Sequence, residues 1–307
     1  MNSPVPTYSP ASLASLWDEL DRQSFPAQAL YVVATPIGNV ADITLRAVRV
    51  LAAADAIGCE DTRNTGQLLS RLGLSKPLFS AHQHNERETA QKIIERLRAG
   101  ERIALVSDAG TPAVSDPGMR IVDAVLDAGF RVIPVAGPSA AVAALSVSGL
   151  DTHQFHFIGF LPSKSAQREQ LLADLTESPA SLVFYEAPHR VAESVQALLK
   201  VFGPERRIVI ARELSKLYEQ VHRCRLGDAP DWLTADPNHQ RGEFVLLVEG
   251  QHTASDKQLT DAQRVLAVLL EELPVSQAAA LAAKITGMKK NALYALALDM
   301  RPPDEAS

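Results

Sequence analysis

Residues 105–118 read LVSDAGTPAVSDPG, a glycine-rich run with two carboxylates, Asp108 and Asp116, and no lysine or arginine. Gly110 lets a backbone come close to a ligand, and Pro112 and Pro117 keep the loop stiff. Acidic side chains repel phosphate. The chain also carries no GxxxxGK[ST] phosphate loop, and its first strand is followed by TPIGN, with one glycine, instead of GxGxxG. The chemistry that suits the run is a ligand bearing hydroxyls or positive charge. Two other readings stand beside it. Asp and Gly populate ordinary tight turns. A phosphatase-type DxDGT loop is also approached, but Ala109 and Gly110 stand after Asp108 where that loop needs its second aspartate.

Other chemically equipped stretches follow apolar runs in the same way. They are ATPIGN (34–39), CEDTR (59–63), AGPSA (136–140), FYEAPHR (184–190), ARELSK (211–216) and RGEFV (241–245). Together they offer a tyrosine, a histidine, several arginines and several carboxylates. S-adenosylmethionine combines a sulfonium, an ammonium and a ribose diol, which matches an acidic glycine loop. The pair His82 and His84 in HQH has no further ligands at metal-binding spacing, and there is no HExxH, so no metal is expected.

The elements that must position these loops alternate. Strand-like LYVVAT, AIGC, PLFS, RIALVS and RVIPV are separated by helix-like TLRAVRVLAAAD, TGQLLSRL, ERETAQKIIERLRA and MRIVDAVLDAG. This rhythm predicts a mostly parallel sheet with helices on its faces, whose ligands bind beyond the carboxyl ends of the strands. Ser139 is a predicted helix N-cap, and Asp61 or Thr62 caps the next helix after CEDTR. The second half places FHFIGF, SLVFYE, RIVIAREL, YEQVHRCRL and EFVLLVEG closer together, which predicts a mixed sheet. Three helices follow from about Thr260, and ITGMKKN forms a turn of helix-turn-helix type. The expected organisation is a flexible tail over 1–28, an α/β domain over 29–149, a mixed α/β domain over 150–252 and a small helical unit over 258–307. The helical unit reads equally well as a cap packed on the body or as a nucleic-acid docking element.

Composition bounds the rest. The 307 residues carry a formal net charge of -6, with 46% hydrophobic and 21% charged residues, so any nucleic-acid surface must be local. Two cysteines without CxxC read as free thiols in a reducing compartment. The N-terminus lacks the basic start and apolar core of a secretion signal, and no stretch is long and apolar enough for a membrane span, so a cytoplasmic protein is expected.

TPIGNVADITLRA, CEDTR, ALVSDAGTPAVSDPG, GPSA, GFLP, FYEAPHR, ARELSK, GE and the C-terminal AAALAA with KKNALY occur in this order across residues 30–298. In this the chain resembles the tetrapyrrole-methylase superfamily, and within it the methyltransferases that modify a cytidine ribose of small-subunit ribosomal RNA. The resemblance implies two α/β halves with S-adenosylmethionine in the cleft, plus the helical unit. It implies 2′-O-methylation of a decoding-centre cytidine in 16S rRNA, within the small ribosomal subunit, by a homodimer. Pro36, Asp108, Thr111, Ser139, Ala140 and Tyr185 are the implied cofactor residues. A ribose hydroxyl is a weak nucleophile that a base or a charged partner must assist. Glu60, Asp61, His189 and Lys216 are the candidates, with Glu213 and Glu243 nearby. RNA contacts fall to Arg63, Lys164, Arg168, Arg190, Arg212, Lys289 and Lys290, with Arg223 and Arg225 as further cations. TPIGN in place of a GxGxGD-like first loop argues against a porphyrin substrate. A small-molecule methylase of the same fold and an RNA-binding cofactor sensor remain the alternatives.

Overall fold

A computed structural model describes residues 10–83, 85–251 and 254–300. The first sheet is built from β1 (Ala29–Val33), β2 (Ala56–Cys59), β3 (Leu78–Ser80), β4 (Arg102–Val106) and β5 (Arg131–Val135). Its order is β3-β2-β4-β1-β5 and every pairing is parallel, as the alternation predicts. These strands read as near-continuous apolar runs because helices cover both faces. One face packs Tyr31, Val33, Ile57 and Val106 under α2 (Leu45–Ala53) and α3 (Thr62–Arg71). The other packs Leu30, Ile103 and Leu105 under α4 (Glu86–Arg98) and α5 (Met119–Asp127).

The second sheet holds β6 (Phe155–Phe160), β7 (Ser181–Glu186), β8 (Arg207–Arg212), β9 (Gln220–Arg225) and β10 (Phe244–Val248), in the order β6-β7-β10-β8-β9. Only β6 and β7 run parallel; the β10 pairings and β8 with β9 are antiparallel, the expected mixture. Helices α7 (Ser165–Asp174), α8 (Val191–Phe202) and α9 (Ala229–Ala235) close one face over Phe184, Ile210 and Leu246. The other face is covered by α6 (Ala140–Ser148), whose Ala141, Ala144 and Leu145 lie on Val183, Val209, Val245 and Leu247. The sequence reading places α6 in the first half. Its small residues instead let it lie against the second sheet, so one helix joins the two units. Each fully buried Leu, Ile or Val contributes roughly 1.5–3 kcal/mol to this packing.

Two further units complete the chain. Residues 10–21 form α1 (Pro10–Asp21) where a tail is expected. Leu20 is buried, Asp21 pairs with Arg49 at 2.8 Å, and the Phe25 carbonyl accepts from Arg102 Nε at 2.9 Å, so this segment is tied to the body. Residues 1–9 of the expected tail, and 301–307 of the helical unit, lie outside the described residues. Helices α10 (Ala254–Glu272), α11 (Val275–Thr286) and α12 (Lys290–Asp299) have their own core of Leu266, Ala278, Ala282 and Leu293. Gly287 ends α11 in the left-handed region at φ 74°, and this opens the turn into α12.

Candidate functional site

The loops leaving β1, β2, β4 and β5 meet beyond the carboxyl edge of the first sheet. Thr35 and Gly110 exchange backbone hydrogen bonds of 2.8 and 3.0 Å, and the Thr35 hydroxyl donates to the Ser107 carbonyl at 3.2 Å. The Thr111 hydroxyl reaches the Pro138 carbonyl at 3.3 Å. Gly137 lies so close to Ala34 that a Cβ there would stand 2.9 Å from the alanine Cβ. A glycine is therefore needed for the two loops to touch.

Loop 107–118 is the most constrained of them. Four of its residues take left-handed backbone: Gly110 (φ 79°), Ala113 (67°), Ser115 (60°) and Gly118 (131°). Each non-glycine in that region costs of order 1–3 kcal/mol, so neighbouring contacts must over-determine the shape. The Gly118 N–H donates to buried Glu86 Oε1 at 2.5 Å, and Arg120 stands 3.8 Å from the other Glu86 oxygen. The Ser115 hydroxyl occupies the gap left by Gly159 on β6, where a Cβ would meet it at 2.6 Å.

Between this loop and the second sheet lies a cavity of about 330 Å³. Thr111, Asp116, Ser139 and Ala140 line it from the first half, and Tyr185, Glu186 and Glu243 line it from the second, with Ile37, Val114, Phe160 and Leu214 as apolar wall. Tyr185 takes part in the wall and in the fold at once. Its hydroxyl oxygen accepts the Ala141 N–H at 3.2 Å, so it satisfies an open donor at the start of α6. Ser139 holds the predicted N-cap position there, without a side-chain cap bond. The Tyr185 ring stands edge-on to Phe157 and Phe160, with centroids at 4.9 and 5.8 Å. Burial pushes its phenol above the ordinary tyrosine value. Glu186 is a wholly buried carboxylate, held by Ser194 Oγ at 2.5 Å, the Ala187 N–H at 2.9 Å and Arg190 at 3.6 Å.

The cofactor candidates divide. Thr111, Ser139, Ala140 and Tyr185 line the cavity, whereas Pro36 and Asp108 do not. Asp108 is exposed, and its carboxylate accepts from the Asp61 N–H at 3.1 Å and from Asn64 Nδ2 at 2.8 Å, which ties the β4 loop to α3. Asp116, the second carboxylate of the same run, reaches the cavity instead. Burial pushes its carboxyl up to about 6; the Ser107 hydroxyl works against this, and Glu60 and Asp108 add to it.

The proton-transfer candidates are also sorted by position. Asp61 caps α3 through the Arg63 N–H at 2.8 Å and pairs with the Arg63 guanidinium at 2.8 Å; these hydrogen bonds hold its carboxyl down at about 2. Glu60, its neighbour, is pushed upward by burial and by Asp108. His189 is exposed and outside the cavity lining, although Ala187 and Pro188 belong to it. Lys216 Nζ sits 2.8 Å from both Glu213 and Glu243 at the cavity rim. Its stem crosses Gly38, where a Cβ would fall 2.3 Å from Lys216 Cγ, so the second half is keyed onto the TPIGN loop.

Three of the expected RNA cations have internal duties instead. Arg168 is 4% exposed, faces Glu193 at 3.4 Å, and is buried by the packing of α7 on α8. Arg190 donates to the Leu161 carbonyl and faces Glu186. Arg212 is 7% exposed and donates to the Arg241 carbonyl at 3.1 and 3.2 Å and to Gln220 at 3.2 Å. Arg63, Lys164, Lys289 and Lys290 are exposed. Among the described residues no group of three or more His, Cys, Asp or Glu could hold a metal ion; His84 lies outside them. Among the described residues no helix is long and apolar enough to cross a membrane. Sequence reasoning missed Glu86 and Glu186, which sit in ordinary helical and strand-end patterns, so only tertiary contacts reveal their work.

Residues 29–230 match the family described as Tetrapyrrole (Corrin/Porphyrin) Methylases, and residues 256–301 match the RsmI C-terminal HTH domain. The chain is 48% identical over 273 residues to the ribosomal RNA small subunit methyltransferase I of Escherichia coli O157:H7, covering 89% of this chain and 95% of that protein. It is 49% identical over 274 residues to the protein of the same name from Pseudomonas aeruginosa, covering 89% and 97%. Among solved structures it is similar to the uroporphyrin-III-C-methyltransferase of Thermus thermophilus, with a TM-score of 0.53 and 23% identity over 72% of this chain and 94% of that one. The cobalt precorrin-4 methyltransferase CbiF gives a TM-score of 0.55 at 15% identity, covering 72% and 95%. At that identity these two structures speak for the fold alone.

Proposed function

The chain belongs to the tetrapyrrole methylase family, in the branch of the ribosomal RNA small subunit methyltransferases, and on that premise we propose that it methylates small-subunit ribosomal RNA with S-adenosylmethionine as donor. In finer terms the acceptor is the ribose 2′-hydroxyl of a decoding-centre cytidine in 16S rRNA, presented within the small subunit. The observation that carries this reading is the cavity between the halves, lined by Thr111, Asp116, Ser139, Ala140 and Tyr185.

The donor set fits the cofactor. Glu186 and Glu243 are paired with Arg190 and Lys216, so Asp116 is the cavity carboxylate whose charge favours a cation and disfavours a phosphate. Thr111, Ser139, Ala140 and Tyr185 would hold the cofactor, and when bound it supplies an electrophilic methyl group on sulfur. The remaining work belongs to the chain. Its two halves bring the acceptor hydroxyl into line and keep water out, and alignment of this kind accounts for much of the acceleration in a displacement. Lys216 keeps Glu213 and Glu243 neutralised at the rim. Arg63, Lys164, Lys289 and Lys290 provide exposed cations for the RNA backbone, the last two at the start of α12. Exposed Val142 and Val147 on α6 and Leu217 nearby supply apolar surface for a homodimer, and a cytoplasmic setting accords with two free thiols.

The test is transfer of tritiated methyl from S-adenosylmethionine to purified small subunits and to their naked RNA, both from cells lacking this gene, followed by mapping. Label on the ribose of one cytidine is the expected result. No label on either acceptor, with cofactor binding intact, overturns the reading.

A further inference from the structure

Strands β6 and β7 are parallel neighbours and each is followed by a helix, so α7 and α8 both begin at the carboxyl edge of the second sheet. The start of a helix carries open N–H donors. Neither start has a side-chain cap here: Lys164 and Arg190 hold the N-cap positions without one, and the first turn of α7 contains no acidic residue. Lys164, Ser165, Ala166 and Gln167 at the start of α7 are exposed, as are Ala192 and Glu193 at the start of α8. The loops that lead into these helices also wall the cavity, through Phe160 before α7 and through Ala187 and Pro188 before α8.

A buried cation lies between the two starts. Arg168 of α7 reaches across to Glu193 in the first turn of α8, at 3.4 Å. It is 4% exposed, and among the described residues its Nε and Nη1 have no hydrogen-bond partner. The Glu193 side chain is 68% exposed, and a stretched pair with a solvated partner is weak. The other charges nearby are committed. Arg190 serves the Leu161 carbonyl and Glu186. Glu169 is held by Lys200 at 2.6 Å and by Ser165 Oγ at 3.1 Å. The Arg168 guanidinium is therefore under-compensated. For packing alone it is a poor choice, because an apolar residue of similar volume often replaces a buried ion without loss of stability. A buried positive charge between two uncapped helix starts, with Lys164 at their edge, is instead an arrangement that receives an anion.

We propose that the first turns of α7 and α8, with Arg168 between them and Lys164 at the rim, hold one phosphodiester of the RNA acceptor. This rests on the RNA methyltransferase reading above. Glu193 keeps the place in the free protein. On binding it swings outward, and a phosphate oxygen replaces it against Arg168 Nη2 in a charge-assisted hydrogen bond. The same two loops wall the cavity, so a phosphate gripped here fixes the strand beside it and positions the nucleotide to be methylated by its backbone. Arg168 binds and takes no part in the displacement.

The experiment compares the full chain with its Arg168→Met and Glu193→Gln variants. Filter binding to small subunits from cells lacking this gene is measured over a series of salt concentrations. Steady-state methyl transfer gives KM and kcat, and calorimetry gives cofactor affinity. Arg168→Met is expected to weaken RNA binding about tenfold and to reduce the salt slope by about one. KM for the subunit should rise to match, with kcat and cofactor affinity retained. Glu193→Gln removes the competing carboxylate and is expected to bind RNA about threefold more tightly. A purely structural ion pair predicts no such gain, since loss of Glu193 would then only cost stability. Wild-type affinity and salt slope in Arg168→Met, or no gain in Glu193→Gln, overturns the proposal and leaves the methyltransferase reading standing. If Arg168→Met does not fold, Glu193→Gln decides alone. If the wild-type chain itself methylates no small-subunit RNA, the functional reading fails first and takes this inference with it.

Discussion

Gly159→Ala perturbs the contact that joins the two halves beside the cavity. Gly159 lies at a register shift in β6 with φ 77°, and loop 107–118 rests on it through Ser115. Two costs combine. An L-residue in left-handed backbone loses roughly 1–2 kcal/mol. The new methyl would also stand 2.6 Å from Ser115 Oγ, well inside van der Waals contact, and overpacking of this kind costs about 1–3 kcal/mol. The expected destabilisation is therefore about 2–5 kcal/mol. The Ser115 Cβ is 3.8 Å from the same point, an ordinary contact, so Ser115→Ala removes the clash and leaves only the backbone cost. Urea unfolding of the wild type, both single variants and the double variant closes the cycle. The double variant should recover about 1–3 kcal/mol relative to additivity, with the denaturant slope unchanged. Methyl transfer should fall in Gly159→Ala and recover partly in the double variant, because the loop that carries Asp116 returns to its seat. Equal destabilisation by Gly159→Ala in both backgrounds would refute the reasoning.

Arg212→Ala should destabilise the chain by roughly 2–3 kcal/mol, since it strips buried charge-assisted hydrogen bonds from the Arg241 carbonyl and Gln220; filter binding of the folded variant to small-subunit RNA should match the wild type. Lys216→Met tests the rim by thermal unfolding against pH. Burial opposes the charge on both partners, but the hydrogen-bonded ion pairs outweigh it, so Glu213 lies below its ordinary value and Lys216 above its own. The glutamate's contribution is present above its free value of about 4.5 and is lost as pH falls through the lowered one; the lysine's is present below about 10.5 and is lost as pH rises through the raised one. The variant's deficit should therefore be widest at neutral pH and close toward both extremes. Burial pushes up both thiols, Cys59 against a Thr65 hydrogen bond and Cys224 to about 11, so a thiol reagent at about pH 8 should label neither until denaturant is added.

Much of the architecture is legible in the chain itself. The run of apolar segments separated by amphipathic ones is a local property, since a strand covered on both faces must be apolar throughout and a covering helix must be apolar on one side. That is why LYVV, IALV and FVLLV can be placed without coordinates, and why the loops after them stand out as the site. Asp61 as a cap is legible for the same reason, because its partner is the Arg63 N–H two residues on. Within the expected tail, the ties of Asp21 and Phe25 to the body are not legible locally, because their partners, Arg49 and Arg102, lie far along the chain.

What sequence could not settle is which polar group faces inward. Asp108 and Asp116 are equivalent as letters in one glycine-rich run, yet one bonds α3 and the other lines the cavity. The choice is made by the left-handed turns at Ala113 and Ser115, by Gly159 on another sheet and by Glu86 on another helix. Arg168, Arg190 and Arg212 likewise read as free cations until packing encloses them. Secondary structure depends on neighbours along the chain and so is written locally. The direction of a side chain at a cleft depends on contacts between residues far apart in sequence, and only the folded chain brings those together.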